Sequence, residues 1–411
     1  MVPKGWEVKK FGNLFSVKSG FGFKHAEYTE IGTPLVKIDN VSHGYMKWDN
    51  ISYLPDSYQE TYSDIVLKKN DILLALNRPI TRGMLKIVKL SASDVPSILY
   101  QRVGRIDFKS KTLDRDFYFY LLNTAVFRFV SRKSIGSDQP FISTTELKKL
   151  DIVKPPLPEQ QKIAKILSTW DKAISTTERL IENSTQQKKA LMQQLLTGKK
   201  RLLDDEGKRF EGEFNQRRLS ELVNIDKKSL GKNTPENYEF EYISLSDVST
   251  GTISKSLERH VFSSAPSRAR RIVKENDLLL ATVRPNLKGF AKARKEHDGF
   301  VASTGFAILS AKKDVSSDYV YHYLFSHHLT GQINALVVGS NYPAINSSDV
   351  GSLKILCPSF EEQQKIATVL TNADKEIELL EQQLTDLQQE KKALMHVLLT
   401  GKKRVVVDGE G

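Results

Sequence analysis

At 411 residues, 39% hydrophobic and 27% charged, the chain has room for two or three domains with ordinary cores, and its net charge of +12 favours a polyanionic partner. The single cysteine, Cys357, excludes a disulfide framework and any zinc site built from cysteines. No apolar run has the length of a signal peptide core or a membrane span, so a soluble protein of the cytoplasm, without a membrane partner, is expected.

In chain order, the first informative element is Asn70-Asp71 followed by Ile72–Ala75, a turn signal before a short apolar run that predicts a buried strand. Arg78-Pro79 and a G-x-x-K stretch from Gly83 to Lys86 come next. A loop that leaves a strand with cations and a rigid proline is a candidate for phosphate or base contact, which singles out Arg78, Arg82 and Lys86. For any one lysine, plain surface solvation competes with that reading. Tyr118-Phe119-Tyr120 has the spacing of a core-facing helix, and the loop Gly136–Pro140 after it carries Gln139 at its tip.

From Glu159 to Arg201 the chain reads EQQKIAKILSTWDKAI…QQKKALMQQLLTGKKR, and this segment returns 203 residues later, from Glu362 to Arg404, with 24 of 43 positions identical. A period that long marks a duplicated module and not a solenoid. Neither copy contains Gly or Pro before its closing Gly198 or Gly401, and both are rich in good helix formers. In the second copy Ile366, Leu370, Ala373, Ile377, Leu380 and Leu384 alternate spacings of four and three, a seam that asks for another helix alongside. Lys391 fills one gap in that seam. Thr177, Ser184 and Lys188 interrupt the seam of the first copy. Ser359 and Glu362 form a capping box, the two glycines suit left-handed C′ positions, and the Lys-Lys-Arg clusters at 199–201 and 402–404 complement the helix dipole ahead of any phosphate contact.

Between the helices the pattern of the first half recurs in diverged form. Asn276-Asp277 precedes Leu278–Ala281, then come Arg284-Pro285, Lys288 and the stretch Gly289 to Lys292. Tyr321-His322-Tyr323 precedes a loop, Gly339–Pro343, that keeps Gly, Ser and Pro but carries Asn341 and Tyr342 where the first half has Asp138 and Gln139. A retained frame with a changed tip suits a loop that reads something different in each half, although an ordinary turn would also keep the frame. Arg268, Arg270 and Arg271 form a further basic cluster. Residues 1–158 carry a net excess of eight positive charges and residues 209–361 of three, so the basic surface belongs to the globular halves.

Catalytic constellations are missing from the pattern. Asn77-Arg78-Pro79-Ile80 lacks the second proline and the aromatic of amino-methyltransferase motifs, the glycines of Ser19–Phe23 open no helix, and no phosphate-binding G-x-x-x-x-G-K-[ST] loop occurs. Asp204, Asp205, Glu206 and Lys208 have a nuclease-like acid-x-Lys spacing but fall in a polar linker, where chance is the better reading. His327-His328 is the one ambiguous candidate for metal.

Two diverged halves, each ending in Pro-marked EQQKIA…KKALM…LLTGKKR, resemble the DNA specificity subunit of Type I restriction-modification systems over essentially the whole chain. The second copy departs only in Cys357-Pro358-Ser359-Phe360. The resemblance implies an α+β fold with two target recognition domains, 1–154 and 209–357, and two long antiparallel helices, 155–208 and 358–411, as a spacer that relates the halves by a pseudo-two-fold axis. It implies a bipartite, asymmetric duplex DNA target with half-sites about one helical turn apart, two modification (methyltransferase) subunits that supply S-adenosylmethionine chemistry, and restriction subunits. The chain itself would hold no cofactor and no catalytic residue. The DNA-contact set expected is Arg78, Arg82, Lys86 and Gln139 in one half, and Arg284, Lys288, Lys292, Asn341 and Tyr342 in the other. The competing readings are a fused methyltransferase or nuclease and a coiled-coil scaffold that binds only protein. Dimerisation through unpaired seams remains open when partners are absent.

Overall fold

The structure, a computed structural model, describes residues 2–133, 141–337 and 343–407. Among them, five helices run eight residues or longer: α1 Arg115–Lys133, α2 Leu157–Leu195, α3 Ser317–Leu324, α4 His327–Val337 and α5 Phe360–Leu399. The chain divides into two units, Met1–Thr176 with Leu384–Gly411, and Thr177–Gln383.

In the first unit, Ile72–Ala75 is buried at every position. It sits inside the antiparallel sheet ordered Phe15–Ser19, Val103–Phe108, Ile72–Ala75, Ile87–Lys89. Ile72 and Leu74 point into a cluster with Phe11, Phe117 and Tyr118, while Leu73 and Ala75 point into another with Leu35 and Ile98. Successive side chains leave a strand on opposite faces, so a strand covered on both sides needs an unbroken apolar run. The second face belongs to a sheet ordered Ser52–Leu54, Thr33–Val36, Ser97–Leu99, Val66–Leu67, whose central pair is parallel, with Ile98 opposite Leu35. A ladder of Glu7–Lys10 with Asp151–Lys154 closes the unit next to α2.

The second unit repeats this topology strand for strand. One sheet runs Val223–Ile225, Phe306–Ala311, Leu278–Ala281, Phe290–Lys292, and the other runs Glu258–Val261, Glu239–Ile243, Val301–Ser303, Ala269–Ile272, again with a parallel central pair, Tyr242 opposite Val301. Leu278 and Leu280 face one core and Leu279 and Ala281 the other. The Asn-Asp turns before both central strands also match. Asn70 and Asn276 have φ of 69° and 68°, and Asp71 and Asp277 each accept the backbone N–H three residues earlier at 2.8 Å. Burial pushes both carboxyl groups above their ordinary range.

The long helices fill most of their Gly- and Pro-free stretches, the first taking Pro158 into its opening turn; they stop at Leu195 and Leu399, short of the expected spans 155–208 and 358–411, and Gly198 and Gly401 beyond them both take φ of 72°. Each unit is closed by halves of both helices running antiparallel. In the first, Ile163 and Leu167 of α2 share a core with Leu398 and Leu399 of α5. In the second, Ile366 and Leu370 of α5 share one with Leu195 and Leu196 of α2. The lysines that interrupt the seams are ion-paired across the helices: Lys391 with Asp171 and Lys188 with Asp374.

The repeated termini have a more specific task than the sequence suggests. Arg201 gives Nε and Nη2 to the two carboxylate oxygens of Glu362 at 2.7 and 2.6 Å, and Glu362 is wholly buried. Arg404 makes the same fork on Glu159, with Nε at 2.9 Å. The arginine of each Lys-Lys-Arg cluster is therefore committed to the first glutamate of the other repeat, which corrects the reading of that residue as a dipole complement. Only half of the Ser359 capping box forms, because Ser359 Oγ accepts the Glu362 N–H at 3.3 Å while the Glu362 carboxylate is taken by Arg201. The glutamine that follows is equally fixed. Gln160 accepts the Asp114 N–H and donates to the Pro155 carbonyl, both at 2.8 Å, and Gln363 does the same with Ser316 and Pro358 at 3.1 and 3.0 Å.

Candidate nucleic-acid interface

Both central strands end in a loop held on the same backbone frame. Leu76 donates its N–H to the Arg102 carbonyl at 2.8 Å and accepts the Ile142 N–H at 2.7 Å. In the second unit Thr282 donates to Gly305 at 2.8 Å and accepts Ile345 at 2.9 Å. Arg78 and Arg284 then occupy the left-handed region, with φ of 45° and 49°, each followed by a buried proline. Arg82 and Lys288 repeat that conformation at φ of 51° and 54°. A side chain with a Cβ held there costs on the order of 1 kcal/mol or more. The surrounding hydrogen bonds maintain it, and the two arginines stay exposed to solvent.

The loops differ in length and shape. The first forms a hairpin of Ile80–Thr81 with Met84–Leu85, and the second a short 3-10 turn, Pro285–Leu287. Register shows what this does to the two G-x-x-K stretches. Lys292 lies opposite Leu278, and Lys89 lies opposite Ile72. Ala75 and Ala281 donate to the carbonyls of Lys86 and Gly289 respectively. Lys89 is thus the structural counterpart of Lys292, and Lys86 that of Gly289, so the sequence match between the stretches is three residues out of register. Lys86 is also turned inward. It is 9% exposed, its Nζ donates to the Ile38 carbonyl, and burial lowers its pKa. Lys292 pairs with Asp318 at 2.6 Å, as Lys89 pairs with Asp116. Neither Lys86 nor Lys292 is presented by the loop tips, a correction to the expected set. Gln139, Asn341 and Tyr342 lie outside the described residues.

Sequence reasoning missed the turn at Gln101 and Arg102, and it noted the glycines of Ser19–Phe23 and the Arg268 cluster without placing them beside these loops. Gly20 packs so closely on the Leu99 carbonyl that a Cβ would sit 1.9 Å from its oxygen, and Gln101 donates its N–H to Phe21 at 3.1 Å. The glycines of Ser19–Phe23 therefore serve this close approach, which brings half-exposed Phe21 to the turn that carries exposed Gln101 and Arg102. In the second unit Thr304 donates to the Arg268 carbonyl at 2.8 Å, which places Arg268 at the turn that supports Thr282. Of its two neighbours, Arg270 lies over the Phe262 ring and Arg271 pairs with Asp226 at 3.0 Å. The Gly-x-Gly spacing and the arginine cluster were the local signals, and their placement was not legible because the contacts that set it join residues distant in the chain, Gly20 with Leu99, Phe21 with Gln101 and Arg268 with Thr304.

The remaining candidates resolve structurally. Asp204 accepts the N–H groups of Glu206 and Lys208, both at 2.9 Å, which is a turn and not a nuclease centre. His328 Nδ1 is hydrogen-bonded to Tyr323 at 2.8 Å. Among the described residues no group of three or more His, Cys, Asp or Glu could hold a metal ion, and no helix is long and apolar enough to cross a membrane.

What the fold and these loops define is a duplicated α+β protein with one basic, conformationally strained loop in each repeat. The chain matches the family described as the Type I restriction modification DNA specificity domain over residues 3–184 and again over 211–389, and it belongs to that family. It is 44% identical to the Type I restriction enzyme MjaVIII specificity subunit of Methanocaldococcus jannaschii over 49% of this chain and 48% of that protein, so the match spans about half of that relative. The putative MjaX specificity subunit of the same organism is 26% identical over 98% of this chain and 95% of its own length. The crystal structure of the Type I system S subunit from M. genitalium superposes with a TM-score of 0.60 at 17% identity, covering 97% of this chain and 96% of that one.

Proposed function

We propose that this chain is the sequence-reading subunit of a Type I restriction-modification complex. Residues 1–154 and 209–357 act as target recognition domains, each contacting its own part of a split duplex target, and the chain directs two modification subunits and the restriction subunits without catalysing a step itself. The observation that carries this reading is the repeated loop frame, which holds Arg78 and Arg284 in the same strained backbone conformation on loops of unlike shape. Equivalent frames with unlike tips suit two readers of different bases. Cations in the loops supply salt-dependent phosphate affinity, and base-edge contacts supply discrimination.

The test is methylation-aware sequencing of DNA from cells that express the chain with its modification subunits. The expected result is one split, asymmetric modified motif that disappears when this chain is deleted. A continuous motif, or modification that persists without the chain, would defeat the reading.

A further inference from the structure

We propose that Phe21 is a wedge that enters a base step of the half-site contacted by the first unit and partly unstacks it, while the second unit contacts its own half-site without insertion. The proposal rests on the reading above and names how one of the two units makes a base contact.

Phe21 is 51% exposed. Gly20 and Gly22 flank it, so no side chain adjacent in the chain covers the ring. Both glycines are needed where they are: Gly20 lies on the Leu99 carbonyl, and a Cβ on Gly22 would sit 2.9 Å from Gln101 Oε1. An aromatic stack stands behind the ring. Its centroid lies 5.2 Å from that of Phe23 and 5.5 Å from that of Tyr62, and Phe23, Tyr58 and Tyr62 touch one another at 5.0 to 5.8 Å. The backbone is pinned as well, by a bridge to Tyr100 and by the Gln101 N–H on the Phe21 carbonyl. A ring held from behind and bare in front is ordered before it binds, which lowers the entropy cost of insertion.

The surroundings decide the occupant. Lys24, Gln101 and Arg102 are exposed and polar. An apolar protein face would desolvate those groups to cover a single ring. A duplex takes both, because a base step accepts the ring while Gln101 and Arg102 meet base edges and phosphates beside it. The Arg102 carbonyl also accepts the Leu76 N–H at 2.8 Å, so this segment and the Arg78 loop lie at the same end of the paired strands Ile72–Ala75 and Val103–Phe108.

The second unit fills the matching place differently. Gln101 and Thr304 each precede by two residues the strand position that faces Ala75 or Ala281. The Gln101 N–H goes to Phe21, and the Thr304 N–H goes to exposed Arg268. One unit thus presents a ring where the other presents a cation. Insertion is easiest at a pyrimidine–purine step, so the first half-site gains a preference from a side chain that makes no hydrogen bond.

The test uses the full chain assembled with its modification subunits on the cognate duplex. One adenine at a time is replaced by 2-aminopurine, or one cytosine by pyrrolocytosine, the methylated bases excepted; these fluorescent bases reach the remaining base pairs and brighten when unstacked. The wild type is expected to brighten one step, in one half-site only. Phe21→Ala should abolish the brightening and weaken cognate binding about tenfold, with the circular dichroism of the chain unchanged. Phe21→Leu should keep the brightening, because leucine also wedges. Arg268→Ala should leave the brightened step as it is. A wild-type assembly that brightens no step, or a Phe21→Ala assembly that keeps the wild-type fluorescence, overturns the wedge and leaves the functional reading standing. So does a Phe21→Ala chain that still brightens the step but recruits fewer modification subunits, which gives the ring to a protein face. A wild-type assembly that prefers no duplex sequence overturns both.

Discussion

Arg284 illustrates how much a single residue can be asked to do in this fold. Its backbone is left-handed, its neighbour Pro285 is buried, and its N–H is spent on the Pro343 carbonyl at 2.7 Å, so the exposed guanidinium leaves a fixed point. A bidentate base contact from such a point is worth about 1–3 kcal/mol of discrimination. Arg284→Ala is therefore expected to weaken binding of the assembled methyltransferase to its cognate duplex by at least several-fold, measured at fixed salt. Lys292→Ala, whose ammonium serves Asp318, should leave that affinity unchanged. His322 makes a different residue-scale prediction. It is 2% exposed, hydrogen-bonded to Thr371 at 2.9 Å and close to Asp374, and burial pushes its pKa down to about 4. Because the folded value lies below the ordinary 6.5, the folded state binds fewer protons than the unfolded one. The contribution is full above pH 6.5 and is lost as pH falls toward 4, on the order of 3 kcal/mol in all. Denaturation midpoints should fall across that window, and His322→Gln should flatten the fall. The burial that makes His322 a sensor was not legible in the sequence, where Tyr321-His322-Tyr323 signals only a core-facing stretch.

At the scale of elements, the ion pairs between repeats are the best test of why the sequence repeats at all. Glu362 is fully buried and both of its carboxylate oxygens are held by Arg201, whose planar fork matches them. Removing one member of a buried pair strands the other, at a cost of roughly 3–5 kcal/mol. Arg201→Met should thus lower the urea midpoint substantially, while Arg404→Met should cost less because the Arg404 side chain is 42% exposed. Equal losses, or none, would show that the pairs do not hold the units closed. What the sequence disclosed at this scale follows from the range of the forces. The helices and the strands Ile72–Ala75 and Leu278–Ala281 were legible because their signals are local: absent Gly and Pro, a seam, an apolar run behind an Asn-Asp turn. The partner of Glu362 was not, since nothing in EQQ and KKR says that they meet across 161 residues. The Lys86 and Lys292 equivalence failed for the same reason, because a three-residue difference in loop length is visible only through strand register.

For the whole molecule, the consequence is that neither half of the sequence completes its own unit. The first unit takes Leu384–Gly411 from the far end of the chain, and those residues bring Leu398, Leu399 and Arg404 to Ile163, Leu167 and Glu159. A fragment ending at residue 208 would leave that face uncovered and the buried Glu159 carboxylate without its arginine. Burying a leucine side chain is worth about 1.5–3 kcal/mol, so losing two leucines and the ion pair approaches the whole stability of an ordinary domain. The same fragment still carries Leu195, Leu196 and Arg201, which occupy the equivalent places in the second unit. Residues 1–208 alone are therefore expected to form a dimer in which each copy supplies its own helix end to the other, with a melting temperature that rises with protein concentration. Mixing in residues 209–411 should replace part of that dimer by the paired fragments, read as a change of mass in native mass spectrometry. A monomeric 1–208 fragment with a melting temperature independent of concentration would mean that the first unit is stable without the exchanged helix end, and that the repeat is not the device that closes it.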